Sequence, residues 1–304
     1  MPLVLVLGAN GFIGSHVVAA MSRLPDMEVV GAGLGTPLPG LERGWLDVDL
    51  LADDDTRLVA ELRAVKPAVL VNCTGAVTGS TSELVRLNVL TTARVVESLA
   101  RSDLRTRLIH LGSAAEYGPG PAGEPVTESA CARPVGPYGI AKVAATRIVL
   151  AASEQGREAV VLRVFNALGP SMPASSLPGA ALRRLTEAVA NSRPRIELGP
   201  LGSVRDFVDV RDIGAAVVAA CCVPSLDAPL VNVATGRGHT ARELVEALAL
   251  AVGFVGEIAE GAVGSPRSSD VPWQVADVSL AQRLLGWRAV HDLQSSVELM
   301  VAGR

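Results

Sequence analysis

The chain's 304 residues are enough for a sizeable core and one or two domains. Hydrophobic residues make up 49% and charged residues 19%, which excludes a disordered chain, and a net charge of −4 leaves no basic footprint for nucleic acid. The first apolar run, five residues from Leu3 to Leu7, is too short for a secretory signal core, and "IGAAVVAACCV" (213–223) is too short to span a bilayer. Cys73, Cys131, Cys221 and Cys222 show no C-x-x-C spacing, and the adjacent pair reads as small core residues of a helix. A reduced, cytoplasmic protein is expected, with no membrane partner and no metal site.

In chain order, "LVLVLG" (3–8), "EVVGAG" (28–33), "AVLVNC" (68–73), "RLIHLG" (107–112) and "AVVLRVF" (159–165) are near-continuous apolar runs. Strands buried on both faces of a parallel sheet have this pattern. Between them, "IGSHVVAAMSRL", "DTRLVAELRAV", "LVRLNVLTTARVVESLA" and "YGIAKVAATRIVLAASEQ" carry helical spacing. The alternation predicts an α/β fold built on a Rossmann-type doubly wound parallel sheet. After residue 166 the pattern loosens into the Pro/Ser-rich "PSMPASSLPG", helices "AALRRLTEAVAN" and "TARELVEALALAV", and short strands near 196–198 and 230–233. Residues 1–166, with 206–235 returning, are assigned to the first domain. Residues 167–205 and 236–304 are assigned to a smaller, mostly helical part that binds substrate. The Pro/Gly-rich stretch 117–137 is a long loop of the kind that is usually functional.

The first strand runs directly into "GANGFIG", with Gly8, Gly11 and Gly14 leading into a helix. Such glycines let the backbone turn tightly and approach a pyrophosphate seated at the helix N-terminus. The position after an N-terminal strand is the context a dinucleotide site requires. NAD(P)(H) is therefore the expected cofactor, with Gly8, Asn10, Gly11, Phe12, Ile13 and Gly14 as its first contacts. An acidic residue about 20 positions on would hold the ribose 2′-OH of NAD. Here the second strand ends at Gly33 and Leu34 with no carboxylate, and the nearest arginine for a 2′-phosphate is Arg43. Neither rule is met, and the missing acid favours NADP(H).

Of the 27 basic residues only Lys66 and Lys142 are lysine, and Lys142 follows one of the two tyrosines, Tyr138, by four positions in "PVGPYGIAKVAATR". Pro137 suits the first turn of a helix, so Tyr138 and Lys142 share one helical face. A phenol with a pKa near ~10 exchanges protons poorly at neutral pH, and a neighbouring ammonium stabilises its phenolate. Lysine offers a compact charge that also reaches a ribose hydroxyl, a task the broad, planar guanidinium of arginine does poorly. Ser113, in "LIHLGSAAEYG", is expected at the C-terminal end of a strand, where doubly wound sheets bind their ligands. Its hydroxyl can hydrogen-bond a reacting substrate oxygen and position it for proton transfer.

With the G-x-x-G-x-x-G loop, and with Ser113 preceding Tyr138 by 25 residues, the chain resembles the extended short-chain dehydrogenase/reductase family over nearly its whole length. That resemblance implies nucleotide-sugar chemistry and a Ser/Thr-Tyr-Lys triad at Ser113, Tyr138 and Lys142. It also implies that Asp49 and Leu50 lie beside the adenine, that Cys73, Thr74 and Gly75 line the cofactor, and that Asn88 is structural. "LRVFNALGP", "VRDFVDVRD" and "PRSSDVPWQVAD" resemble the family's substrate segments, with Asn166, Arg205 and Arg267 facing the diphosphate and Ser113 and Ala114 facing the sugar. "LGWR" (285–288) matches the terminal helix region. Two arginines and an amide near one cleft suit an anionic diphosphate.

Dehydratases of this fold carry Asp-Glu directly after the triad Ser/Thr, where this chain has Ala114 and Ala115. Glu116 is one place too late, and the strand-end geometry is expected to turn it elsewhere. The expected activity is a 4-ketoreductase of a nucleotide-linked 4-keto-6-deoxyhexose with Tyr138 as proton donor. A nucleotide-sugar 4-epimerase is the second reading and a catalytically silent nucleotide sensor the third. The family's habit of pairing through the Tyr/Lys helix implies a homodimer.

Overall fold

The computed structural model describes residues 2–42, 44–51, 56–261 and 271–303. Through residue 164 the chain runs β1 (Leu3–Leu7), α1 (Phe12–Met21), β2 (Glu28–Gly33), β3 (Trp45–Asp47), α2 (Thr56–Val65), β4 (Val69–Asn72), α3 (Thr81–Leu84), α4 (Thr91–Ser102), β5 (Arg107–Ser113), α5 (Gly136–Glu154) and β6 (Ala159–Val164). It continues with β7 (Asn166–Leu168), α6 (Leu177–Ala190), β8 (Arg195–Leu198), β9 (Val204–Asp209), α7 (Val210–Cys222), β10 (Leu230–Val233), β11 (Gly238–Thr240), α8 (Ala241–Val252), β12 (Glu257–Glu260), β13 (Trp273–Gln274), α9 (Ser279–Leu285) and α10 (Leu293–Ala302).

Seven parallel strands form the central sheet in the order β3-β2-β1-β4-β5-β6-β10. The apolar strands alternate their side chains between two cores, as the period of two dictates. Val4, Val6, Val71 and Ile109 pack with Val17 of α1 and Ile213 of α7. Leu5, Leu7, Leu70 and Leu108 pack with Leu62 of α2, Leu99 of α4 and Val149 of α5. The chain order reverses between β1 and β4, which opens the crevice where such sheets bind ligands. Outside this sheet, β9 is flanked by β11 and β13 and also pairs with β7, while β8 pairs with β12. These small sheets add to the helices expected after residue 166. Among the described residues no helix is long and apolar enough to cross a membrane.

The stretch expected as one helix from residue 84 is interrupted. Val85–Leu90 form a π-helical turn between α3 and α4. Buried Asn88 causes it: its amide donates to the carbonyls of Ala76 and Leu84, both at 2.9 Å. An inserted side-chain hydrogen bond of this kind widens the helical ladder.

Arg107 opens β5 with a buried guanidinium. Its Nη1 donates to the carbonyls of Ala220, Cys221 and Val223 at the C-terminus of α7, at 2.9, 3.1 and 2.7 Å, while Nε meets Glu158 at 2.9 Å. A cation at a helix C-terminus satisfies otherwise orphaned carbonyls and opposes the helix dipole. Arg107→Met should therefore destabilise the protein by about 2–4 kcal/mol, because the carbonyls and Glu158 lose their partner. Urea unfolding of the two proteins measures this.

Candidate active site

Gly8, Gly11 and Gly14 form a cradle at the end of β1. Gly8 takes φ +72°, in the left-handed region, and a Cβ there would lie 3.1 Å from backbone atoms of Cys73 and Thr74. A Cβ on Gly14 would fall 2.0 Å from the Gly8 carbonyl oxygen. Gly11 caps α1 with extended backbone and has no side chain to cover the first amides of the helix. Such a terminus accommodates an anion. Phe12 and Ile13 pack partly into the core. Asn10 donates to the Leu34 carbonyl at 2.8 Å, and a Cβ on Gly33 would meet its Oδ1 at 2.9 Å, so Asn10 ties the glycine loop to the end of β2.

Asp49 and Leu50 follow β3 in a turn where Asp49 Oδ1 accepts from the Leu51 amide at 2.7 Å. The Leu50 carbonyl accepts from Arg94 Nη1 at 2.8 Å. Cys73, Thr74 and Gly75 follow β4 directly beside Gly8. Burial pushes the Cys73 thiol up to about 12. Thr74 is fixed through its amide and hydroxyl to Asn72 Oδ1, at 3.1 and 2.6 Å. Asn72 also contacts buried His110 on β5, at 3.2 Å. Burial, reinforced by the Lys142 ammonium, holds that imidazole well below its ordinary pKa.

Ser113 is the last residue of β5, and Tyr138 lies in the first turn of α5 with Pro137 before it. Both are half-buried, whereas Lys142 is buried. Lys142 Nζ donates to the Leu111 carbonyl at 2.5 Å, which fastens α5 to β5 two residues before Ser113. Burial lowers the Lys142 pKa, and the Glu116 carboxylate opposes that shift. Next to Tyr138, a Cβ on Gly139 would fall 2.6 Å from the Ala115 carbonyl oxygen. The close approach draws the start of α5 against the turn that follows Ser113. Buried Ala114 presents only its methyl group and backbone, and its carbonyl accepts from Gln274 at 2.9 Å.

Asn166 and Arg205 come together through the pairing of β7 with β9. Asn166 Nδ2 donates to the Asp206 carbonyl at 3.0 Å, and Arg205 Nη1 to the Val204 carbonyl at 2.9 Å. Burial lowers the Arg205 pKa. Arg43 and Arg267 lie outside the described residues.

The sequence reading missed a polar network beneath this site. Glu116 does turn away from the crevice, as expected, but it turns into the interior and is 0% exposed. It accepts from the Ser113 amide at 2.8 Å, Thr146 Oγ1 at 2.9 Å and Arg163 Nε at 2.8 Å. The Arg163 guanidinium lies 4.4 Å from the centre of the Tyr117 ring. The Tyr117 hydroxyl donates to Asn232 at 2.6 Å, and burial raises its pKa to about 12. Two signals were present. Ser113-x-x-Glu116 is a capping-box pattern, and Arg163 is a lone charge in a doubly buried strand that must have a partner.

Residues 4–234 match the model of the NAD dependent epimerase/dehydratase family. The chain is 37% identical over 297 residues to a dTDP-6-deoxy-L-talose 4-dehydrogenase (NAD(P)(+)) of Kitasatospora kifunensis, covering 97% of this chain and 93% of that protein. It is 26% identical to a putative UDP-glucose 4-epimerase of Methanocaldococcus jannaschii, covering 98% and 97%. Among solved structures, MoeE5 in complex with UDP-glucuronic acid and NAD superposes with a TM-score of 0.83 at 28% identity, covering 98% of this chain and 97% of that one.

The cradle supplies a direct test of dinucleotide binding. In Gly14→Ala the new methyl has no room beside the Gly8 carbonyl, and overpacking of this kind costs about 1–3 kcal/mol. Fluorescence titration should show NADPH affinity falling by about 10-fold or more, with the protein still folded by circular dichroism.

Proposed function

We propose a specific reaction for this chain, which belongs to the NAD-dependent epimerase/dehydratase family: an NAD(P)-dependent 4-ketoreductase acting on a nucleotide-linked 4-keto-6-deoxyhexose, reversible as a 4-dehydrogenase. The observation that carries the reading is the turn after Ser113. Ala114 and Ala115 offer no ionisable group, and both oxygens of Glu116 are engaged in the interior. Dehydration needs a base and an acid within hydrogen-bond reach of the sugar in addition to hydride transfer. Ser113, Tyr138 and Lys142 suffice for hydride transfer with one proton at the C4 oxygen. The similarity to a 4-dehydrogenase of a deoxysugar nucleotide supports the same reaction.

The glycine cradle fits a dinucleotide, since the missing Cβ of Gly14 lets α1 close onto the Gly8 carbonyl and the amides of α1 beside Gly11 carry no capping side chain. Gly8, Asn10, Gly11, Phe12, Ile13, Gly14, Asp49, Leu50, Cys73, Thr74 and Gly75 would hold it, and the nicotinamide supplies the hydride. In this reading Ser113 orients the sugar carbonyl and Tyr138 donates the proton at its oxygen. Lys142, charged and anchored on Leu111, stabilises the phenolate left behind. Asn166 and Arg205, with Arg267, take the sugar-nucleotide diphosphate. The Gly33-Leu34 end of β2, without a carboxylate, supports NADP(H) over NAD(H).

In the same reading, residues 1–166 with 206–235 bind the cofactor, and 167–205 with 236–304 bind the substrate. The four free cysteines support a cytoplasmic setting. A homodimer would form on the outer face of α5 and the π-helical turn, where Ile140, Val85 and Leu90 are exposed apolar side chains.

A dTDP-4-keto-6-deoxyhexose should oxidise one NADPH per sugar and yield a C4 alcohol, with no dehydrated product from dTDP-glucose. Tyr138→Phe should keep NADPH affinity and lose about 10²–10⁴-fold in turnover. Full turnover in that variant would remove Tyr138 from the chemistry. Interconversion of UDP-glucose and UDP-galactose without net cofactor use would assign the epimerase reaction instead. A tenfold preference for NADH, about 1.4 kcal/mol, would reverse the cofactor assignment.

A further inference from the structure

Glu116 is a fully buried carboxylate for which the proposed chemistry has no direct use. The backbone is shaped to admit it. A Cβ on Gly112, immediately before Ser113, would fall 2.8 Å from Glu116 Oε1 and 2.7 Å from Val161 Cγ1. Oε1 accepts from the Ser113 amide and from Thr146 Oγ1, and Oε2 accepts from Arg163. Thr146 continues the series Tyr138, Lys142, Thr146, four residues apart each time on one face of α5. One carboxylate thus grips the backbone of Ser113 and the helix face that carries Tyr138 and Lys142.

We propose that Glu116 is a positioning residue: by clamping the end of β5 to α5 it fixes how the Ser113 hydroxyl and the Tyr138 phenol approach the same sugar oxygen. The inference rests on the Ser113–Tyr138–Lys142 reading above. The clamp is itself held in place. Arg163 on β6 lies against the Tyr117 ring, and Tyr117 is bonded to Asn232 on β10. Lys142 reinforces the clamp from α5 through Leu111. Small errors in such an arrangement are costly, because a displacement of about 1 Å between reacting groups can lower turnover by about 100-fold.

A buried ion pair that served stability alone could be exchanged for apolar side chains of similar volume without loss. That contrast defines the test. Thr146→Val, Glu116→Gln and the double variant Glu116→Leu with Arg163→Met are compared with the parent and with Tyr138→Phe. The substrate is a dTDP-4-keto-6-deoxyhexose with NADPH, or UDP-glucose should the parent prove to be an epimerase. Thr146→Val is nearly isosteric and leaves the ion pair in place, so it should fold as the parent does and melt only a few degrees below it, the cost of one buried hydroxyl–carboxylate bond. We expect kcat to fall about 10-fold in Thr146→Val and about 100-fold in the two Glu116 variants. KM and NADPH Kd should stay within about twofold of the parent, a difference of about 0.4 kcal/mol. The double variant should regain melting temperature relative to Glu116→Gln without regaining kcat. Parental kcat in Thr146→Val, or kcat that returns with stability in the double variant, would overturn the role of Glu116. If Tyr138→Phe were also fully active, the triad reading would fall. If Tyr138→Phe were inactive beside a fully active Thr146→Val, only the clamp would fall.

Discussion

Three ionisable side chains are buried beneath the end of β5: Lys142, Glu116 and Arg163. Each would cost several kcal/mol to bury alone. Glu116 pairs with Arg163 and also accepts from the Ser113 amide and the Thr146 hydroxyl, while Lys142 donates to the Leu111 carbonyl. The Glu116–Arg163 bond measures 2.8 Å and joins the turn after β5 to β6. Lys142 closes on the Leu111 carbonyl and joins α5 to β5. A buried network of this kind favours one arrangement strongly, because sliding α5 along the sheet would strand several polar groups at once. The register of the helix that carries Tyr138, relative to the strand that carries Ser113, follows from that penalty. Apolar packing of Val149 and its neighbours could not fix it so narrowly.

The cofactor side of the crevice depends on the opposite device, the removal of side chains. Gly14 brings α1 onto the backbone of Gly8, and Gly8 brings β1 onto the segment after β4. The result is bare backbone at a helix terminus, electrostatically suited to phosphate. Polar side chains act only at the margins, where Asn10 holds the end of β2 and Asn72 holds Thr74. Both halves of the site lie at the C-terminal ends of the parallel strands, one organised by buried charge and the other by missing Cβ atoms that let backbones close on one another.

How legible each part was in the sequence follows from the same physics. The parallel strands could be read because burial on both faces leaves few alternatives to Val, Leu and Ile. The glycine loop and the Tyr138–Lys142 pair are local, at spacings a helix or turn converts directly into proximity. The small strands β7, β9, β11 and β13 escaped because they are two to six residues long and gain their stability from partners distant in sequence. The π-helical turn escaped because helical periodicity does not reveal that the Asn88 amide inserts between the Ala76 and Leu84 carbonyls. The network under Ser113 escaped because it joins residues 113, 116, 146 and 163 from four elements. Arg163 passed as one polar residue in an apolar strand, although a buried guanidinium there required a carboxylate somewhere.

Glu116 shows how one position in register separates two chemistries on this fold. A glutamate one residue earlier would follow the first residue of the turn and could face the sugar as a base. At position 116 the short helical turn Ala114–Glu116 rotates the side chain back over Gly112, where no Cβ obstructs it. Its two oxygens are then occupied by an amide, a hydroxyl and a guanidinium, and it has no exposure to the crevice. A carboxylate held this way has no access to a substrate carbon, and it serves instead as the buried counter-ion of Arg163. The same arrangement that removes it from acid–base work places it where it can hold Ser113 and α5 together. In the proposed reading, a carboxylate kept from the sugar and a clamp between Ser113 and α5 are two consequences of one buried side chain.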